Sequence, residues 1–268
     1  MQHVMKVLQI VMVVLLLGTG AAQAADVNCR GAAGGTEEFR YAWRLRGGLG
    51  WIAGLLFPRS GVGNLKTTYP KSGEHAINSS LLITSSQGTS GGFYAYESQM
   101  DEGGQNTLMT YHGYAWGSKS RKERTIFDYV KRLARIRKET PEKIEDKVKP
   151  LPPDQLRDVL TAIYYLRQHA DQIRQPMQTS IYSDGKEYPV IFRPIESKPF
   201  TIEGEHLIAL GFEIVDAPGG KKWPGGVRLY ISSDARRVPL RIEIQQSMAS
   251  MQLDLKSIEA CAVVQAAK

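Results

Sequence analysis

Between residues 226 and 256, apolar and polar side chains take turns with a period of two. Val227, Leu229 and Ile231 alternate with Arg228 and Tyr230. After a turn at 232–235, Val238, Leu240, Ile242 and Ile244 alternate with Arg237, Pro239, Arg241 and Glu243, and further on Met251, Leu253 and Leu255 alternate with Gln252, Asp254 and Lys256. This period puts one set on a buried face and the other in water. The stretch is therefore predicted to be an antiparallel meander whose apolar face something else must cover. The same alternation predicts strands at 39–46, 75–85, 93–100, 107–116 and 120–129. Residues 176–182 and 186–193 are predicted to pair about Asp184-Gly185, a strong type I′ turn signal. Further strands are expected at 200–204 and 206–215, the latter with His206, Ile208, Leu210, Phe212 and Ile214 on one side.

The period changes once. Leu156, Val159, Leu160, Ile163, Tyr164 and Leu166 follow helical spacing behind Pro152-Pro153, predicting an amphipathic helix over 154–169 with Asp154 at its start. Residues 47–63 allow two readings. Trp51, Ile52, Leu55, Leu56 and Phe57, set among glycines, suit a buried strand with a bulge at a barrel corner, or an exposed apolar loop that touches membrane or partner. Over 131–138, Val130, Leu133 and Ile136 suit a helix, whereas Val130, Ala134 and Ile136 suit a strand face; the strand is preferred. Residues 141–153 read as a polar, lysine-rich linker bounded by prolines. About ten to twelve antiparallel strands are too many for a flat sheet. The expected fold is mainly β, with one domain over 39–261. It is a curved antiparallel sheet forming a partly open β-barrel, with one amphipathic α-helix packed against or plugging it.

The beginning of the chain reads as an address. Lys6, the apolar run 7–17 and Ala22-Gln23-Ala24 make a signal peptide over 1–24, cleaved after Ala24, with export to the periplasm expected. Its apolar run is shorter than the ~20 residues that a membrane span needs. Residues 25–38 are expected to form a flexible arm and 262–268 a tail. The two cysteines, Cys29 and Cys261, stand near the two ends. In an oxidising compartment they are expected to form a disulfide rather than remain two thiols. So long a loop would contribute about 4–5 kcal/mol in the loop-entropy view. Removing the leader lowers the net charge from +7 to +6, and twelve basic residues among six acidic ones between Lys119 and Lys149 account for that excess.

Several stretches together resemble a known family. They are Phe39-Arg40-Tyr41-Ala42-Trp43, Phe93-Tyr94-Ala95-Tyr96-Glu97-Ser98, Phe127-Asp128-Tyr129, the helix from Asp158 to Arg167, Asp184-Gly185-Lys186-Glu187-Tyr188 and, most clearly, Leu229 to Arg241. The chain is similar through these to the bacterial envelope family catalogued as domain of unknown function 3108. The helix and the Ser-Asp-x-x-x-x-Pro hairpin are the most specific parts. The family's turn often carries a tryptophan before it and a proline before the aspartate, where Tyr230 and Ser233 stand here. The resemblance implies a predominantly β, exported protein without an established activity. Its open sheet with a helix is similar to lipid-handling half-barrels, an analogy between folds.

Motifs for catalysis are weak. Gly88-Thr89-Ser90-Gly91-Gly92 matches G-x-S-x-G, but Phe93-Tyr94-Ala95-Tyr96 after it is strand-like, whereas a nucleophile elbow needs a helix there. His75, His112, His169 and His206 lie at no metal-ligand spacing, so no metal and no cofactor is expected. Asp234 beside Arg236 and Arg237 is read as ordering its turn. The chain is accordingly expected not to be an enzyme. Two features remain as candidates. A concavity lined by Ile163, Leu166, Phe212, Leu240, Ile242 and Leu253 would take a lipid or other apolar ligand, unless the helix fills it. The basic segment, through Arg121, Lys122, Arg124, Lys131, Arg132 and Arg135, would meet an anionic membrane surface or an envelope protein, unless its lysines merely guard strand edges. An exported protein has no expected nucleic-acid partner. The expected function is to bind or escort a lipid-like or other apolar envelope component. The alternative is a structural or assembly protein acting through its surface.

Overall fold

A computed structural model describes residues 33–46, 58–86, 88–151, 155–183, 185–223, 226–245 and 250–262. The leader at 1–24, Cys29 and the segment Trp51 to Phe57 lie outside them, and so does nearly all of the expected tail. The expected disulfide is likewise outside: of Cys261 only the backbone is described, opposite Glu37.

Eight strands come first: β1 (Thr36–Arg46), β2 (Ser60–Thr68), β3 (Ala76–Ser85), β4 (Gly88–Asp101), β5 (Thr107–Trp116), β6 (Lys119–Asp128), β7 (Leu133–Glu139) and β8 (Ile144–Pro150). Helix α1 (Val159–His169) follows, then β9 (Met177–Ser183), β10 (Lys186–Ile202), β11 (Glu205–Asp216), β12 (Gly226–Ser232), β13 (Pro239–Gln245) and β14 (Ser250–Ala262). All belong to one sheet in the order β8-β7-β6-β5-β4-β3-β2-β1-β14-β13-β12-β11-β10-β9. The chain thus lays two meanders outward and back, joins them where β1 pairs with β14, and leaves consecutive strands β8 and β9 as the two edges. Every ladder is antiparallel.

The sheet curls around α1 without a β8–β9 ladder to close it. A short extended segment fills the seam. Leu156 accepts from the Thr107 N–H (2.9 Å), Arg157 accepts from the Tyr182 N–H (2.7 Å), and Arg157 forms one parallel bridge with Ile181. Tyr182 packs edge-on against Phe127 at 4.8 Å, and Lys149 Nζ donates to the Gly185 carbonyl at 2.9 Å. The result is a partly open barrel, as the alternation predicted.

Helix α1 buries Leu160, Thr161, Ala162, Ile163, Tyr164, Leu166 and Arg167, more than one stripe, because sheet surrounds it on several sides. Its N-cap is Asp158, whose carboxylate accepts from the Thr161 N–H at 2.8 Å. The helix therefore starts at Val159, not near Asp154. Leu156 fits the helical spacing and is fully buried, but the seam recruits it in extended form.

Four other expectations need correction. β1 begins at Thr36, inside the expected arm, because Glu37 has a buried partner. The supposed linker at 141–153 contains β8. As an edge strand it has no buried face, so its sequence shows no apolar alternation. The separate strand at 200–204 is the end of a continuous β10, bent at a bulge between Ile195 and Lys198. Opposite that bulge the buried face of β11 changes. Leu207 and Ala209 are buried while His206 and Ile208 are exposed, and the expected side resumes at Phe212 and Ile214. Residues 133–139 are strand, so the helical alternative for that segment falls.

Candidate functional site

The six residues expected to line a ligand cavity do converge. Ile163 and Leu166 come from α1, Phe212 from β11, Leu240 and Ile242 from β13, and Leu253 from β14, and all belong to one core cluster. Each is at most 2% exposed. At this level the concavity is occupied by α1, and none of the six lines the clefts described below.

Beneath that cluster lies a polar anchor that no sequence pattern indicated. Arg167, 2% exposed, donates from Nη1 and Nη2 to the two oxygens of Glu37 at 3.0 and 3.1 Å, and from Nε to the Arg237 carbonyl at 2.8 Å. Tyr69 adds its hydroxyl to Glu37 at 2.8 Å, and the guanidinium lies 5.2 Å from the Phe39 ring. Burial opposes the Arg167 charge, yet Glu37 and the neighbouring tyrosines hold it above the ordinary arginine range. Burial pushes the Tyr41 and Tyr69 hydroxyls upward, so both stay protonated donors. The Tyr41 hydroxyl donates to the Pro239 carbonyl at 2.7 Å. Helix, first strand and the 232–239 turn are thereby tied together.

That turn explains the Ser-Asp-x-x-x-x-Pro signature. Ser232 Oγ donates to Asp234 at 2.7 Å and accepts from the Val238 N–H at 2.7 Å, while Arg236 bonds both Asp234 and Glu205. Burial would raise the Asp234 carboxyl, but Ser232 and Arg236 hold it below its ordinary range. Arg237 takes φ 50° there and offers its carbonyl to Arg167. The group is structural, as its sequence suggested. The G-x-S-x-G stretch lies within β4 and continues as strand, so the strand-turn-helix of a nucleophile elbow is not formed. His112 stacks on Tyr96 at 4.6 Å and His169 bonds Gln105 and Gln172; no group of three or more metal-ligating side chains occurs among the described residues.

The basic segment is divided by the pleat. Lys122, Arg124 and Arg135 project outward from β6 and β7 and are exposed, with Ile126 directly beside Arg135 and Val148 beyond it. Lys131 and Arg132 sit in the β6–β7 turn next to Val130, which is 94% exposed. Arg121 belongs to the other face, where it meets buried Glu123 at 2.6 Å, with Lys138 at 3.0 Å from the same carboxylate. Arg121, Lys138, Thr140, Lys143 and Glu145 line a small cleft of about 240 Å³ there.

The largest cleft among those described opens at the seam. It has a volume of about 840 Å³ and lies between the start of α1 and strands β9 and β10. Tyr165, Met177 and Pro189 supply apolar wall, and Gln155, Arg157, Thr179, Glu187 and Lys221 supply polar wall. A second hollow of about 330 Å³ adjoins it, sharing Tyr165 and Met177 and continuing to His169 and Ile173. Arg157 lies 4.1 Å over the Tyr165 ring. Sequence reasoning missed this cleft because its residues come from an irregular segment, one helix face and two strands. The only hint was the pair of prolines ahead of the helix.

Comparison with known proteins came down to folds and one family. A search of the curated proteins found no match. The crystal structure of a beta-barrel-like protein of the domain of unknown function DUF1849, from Brucella abortus, aligns with a TM-score of 0.54 at 8% identity, covering 85% of this chain and 98% of that one. That likeness is one of fold. The Mycobacterium tuberculosis lipoprotein LppX aligns over 88% of this chain and 92% of its own at 10% identity, with a TM-score of 0.25. Residues 57–256 match the family described as "Protein of unknown function (DUF3108)", a span that leaves out β1 with Glu37 and Tyr41. With most of its length inside that match, the chain belongs to the DUF3108 family.

Proposed function

We propose that this is a non-enzymatic, exported cell-envelope protein that holds or escorts a lipid-like or other apolar component, and that the component lies at the seam of the barrel rather than at its centre. The observation that carries the reading is the unclosed sheet. Between β9 and the start of α1 it leaves a cleft of about 840 Å³, a size that suits a small amphipathic ligand, with Tyr165, Met177 and Pro189 exposed to it. The central position is taken by α1, so displacing Ile163 and Leu166 would unfold the core. The signal-peptide pattern at 1–24 supports a periplasmic address, and Lys122, Arg124 and Arg135 with the exposed Ile126 and Val148 beside Arg135 suit contact with an anionic membrane surface.

Native mass spectrometry of the mature protein, taken gently from its own envelope fraction and followed by lipid extraction, tests the reading. A stoichiometric apolar ligand, lost in Met177→Glu while circular dichroism is unchanged, is the expected result. A bare protein mass that takes up no added lipid would overturn it.

A further inference from the structure

Arg157 is 5% exposed, and among the described residues no carboxylate lies within ion-pair distance of it. Buried guanidinium groups are ordinarily matched with an anion, as Arg167 is with Glu37, because a buried charge without a counter-charge is strongly unfavourable. The partners of Arg157 are neutral. Nη1 donates to Thr179 Oγ1 at 2.8 Å, and Nη2 donates to Gln155 Oε1 at 3.0 Å and Gln105 Oε1 at 3.3 Å. Nε is buried without any hydrogen-bond partner. Asp101, whose field reaches Arg157, already spends its oxygens on Gln105 and Asn106. Burial correspondingly pulls Arg157 below the ordinary arginine range.

The same residue lines the seam cleft. Lys221 stands in that wall as a second cation, Glu187 as the one carboxylate, and Tyr165, Met177 and Pro189 as apolar surface. Lys221 also lies 5.6 Å over the Tyr188 ring. A charge held ready and unmatched, next to apolar wall, fits a ligand with an anionic head and an apolar body.

We infer that Arg157 is the anchor of an anion-recognition site in the seam cleft, taking the carboxylate or phosphate of an amphipathic ligand. This rests on the binding reading above and gives the ligand its charge. The anion replaces Gln155 on Nη2 and draws on the donors that Arg157 has unused, a charge-assisted pair of the stronger kind. Lys221 adds attraction at the entrance. The apolar body lies along Tyr165 and Met177 toward the adjoining hollow near Ile173.

The probes are a long-chain fatty acid, a lysophosphatidic acid of equal chain length, and the fatty alcohol of that length. Titration calorimetry with each, on the full mature protein, gives the answer. Arg157→Gln is expected to weaken both acids about tenfold or more while leaving the alcohol within about twofold. Lys221→Met is expected to weaken the acids by a smaller factor. Preference for one acid separates a carboxylate head from a phosphate head. Should Arg157→Gln not fold, the Arg157 Nε–H resonance of the wild type serves instead, and it is expected to shift on adding either acid and to stay in place with the alcohol. Equal binding of acids and alcohol by wild type and both variants would overturn the anion site while leaving the apolar-ligand reading intact. Failure of all three probes to bind the wild type would overturn both.

Discussion

Arg167 and Arg157 are both guanidinium groups closed off from solvent within one stretch of chain, and they are treated in opposite ways. Arg167 has Glu37, Tyr69 and a backbone carbonyl; its environment is complete. Removing the carboxylate alone would strand the charge. Glu37→Gln is therefore expected to cost about 3–5 kcal/mol in urea unfolding, whereas the double change Glu37→Met with Arg167→Met recovers most of that loss. Ser232 makes a similar case on a smaller scale. Its hydroxyl satisfies the buried Val238 N–H, so Ser232→Ala is expected to cost about 1–3 kcal/mol in the same measurement. Glu213 sets an acid limit. Burial would raise its carboxyl, but Arg193 and Arg228 hydrogen-bond it and hold it below its ordinary 4.5. A depressed carboxylate adds stability that is full above the unfolded value and is lost as pH falls through the folded one. Denaturation midpoints followed from pH 6 to about 3 are expected to fall less steeply in Glu213→Gln than in the wild type.

Among the elements, β8 combines exposed Ile144 and Val148 with an unpaired edge, and Asp146 and Lys147 stand between the two. Charges at such an edge oppose pairing with a second copy. The combined change Asp146→Val and Lys147→Val is expected to shift the protein to larger species than the wild type by light scattering; a variant of unchanged size would show that the edge is protected in another way. The same strand shows what alternation can and cannot reveal. Most strands with one wet and one dry face were legible: β1, β5, β6 and the meander β12–β14 lie where Phe39, Thr107, Phe127 and Leu229 placed them, give or take their ends, but β2, which also alternates, was not predicted. β8 has no dry face, so it carried no signal. At β11, the bulge in its neighbour changes which face is dry, and no single-strand pattern records a neighbour's bulge. The helix was legible as a helix, but Leu156 satisfied its spacing while belonging to the seam. Of the sites, the convergence of Leu166, Phe212, Leu240 and Leu253 was legible because apolar faces must meet. That α1 would fill the space depended on volume, which spacing does not encode. The seam cleft and Glu37–Arg167 depend on partners distant in sequence; the cleft left no trace beyond the two prolines before the helix, and the ion pair left none.

For the molecule as a whole, β1 matters more than its position in the chain suggests. It stands in the middle of the sheet, between β2 and β14, and contributes Glu37, Phe39, Tyr41 and Trp43 to the interior. A protein made only of the family-matched residues 57–256 lacks it. Such a chain is expected to give a collapsed species without near-ultraviolet circular dichroism, while one that includes residues 33–262 unfolds cooperatively.

The β1–β14 ladder also has a consequence in time. Arg40 meets Glu259 at a sequence separation of 219, so of the described strands the first one made must wait for the last. Until then β1 lacks its β14 partner, and its aromatic residues Phe39, Tyr41 and Trp43 wait for that side of the barrel. Closing so long a loop is slow and is rewarded only at the end. Refolding of this chain is therefore expected to be slow, its rate set by when the two ends of the described chain find each other.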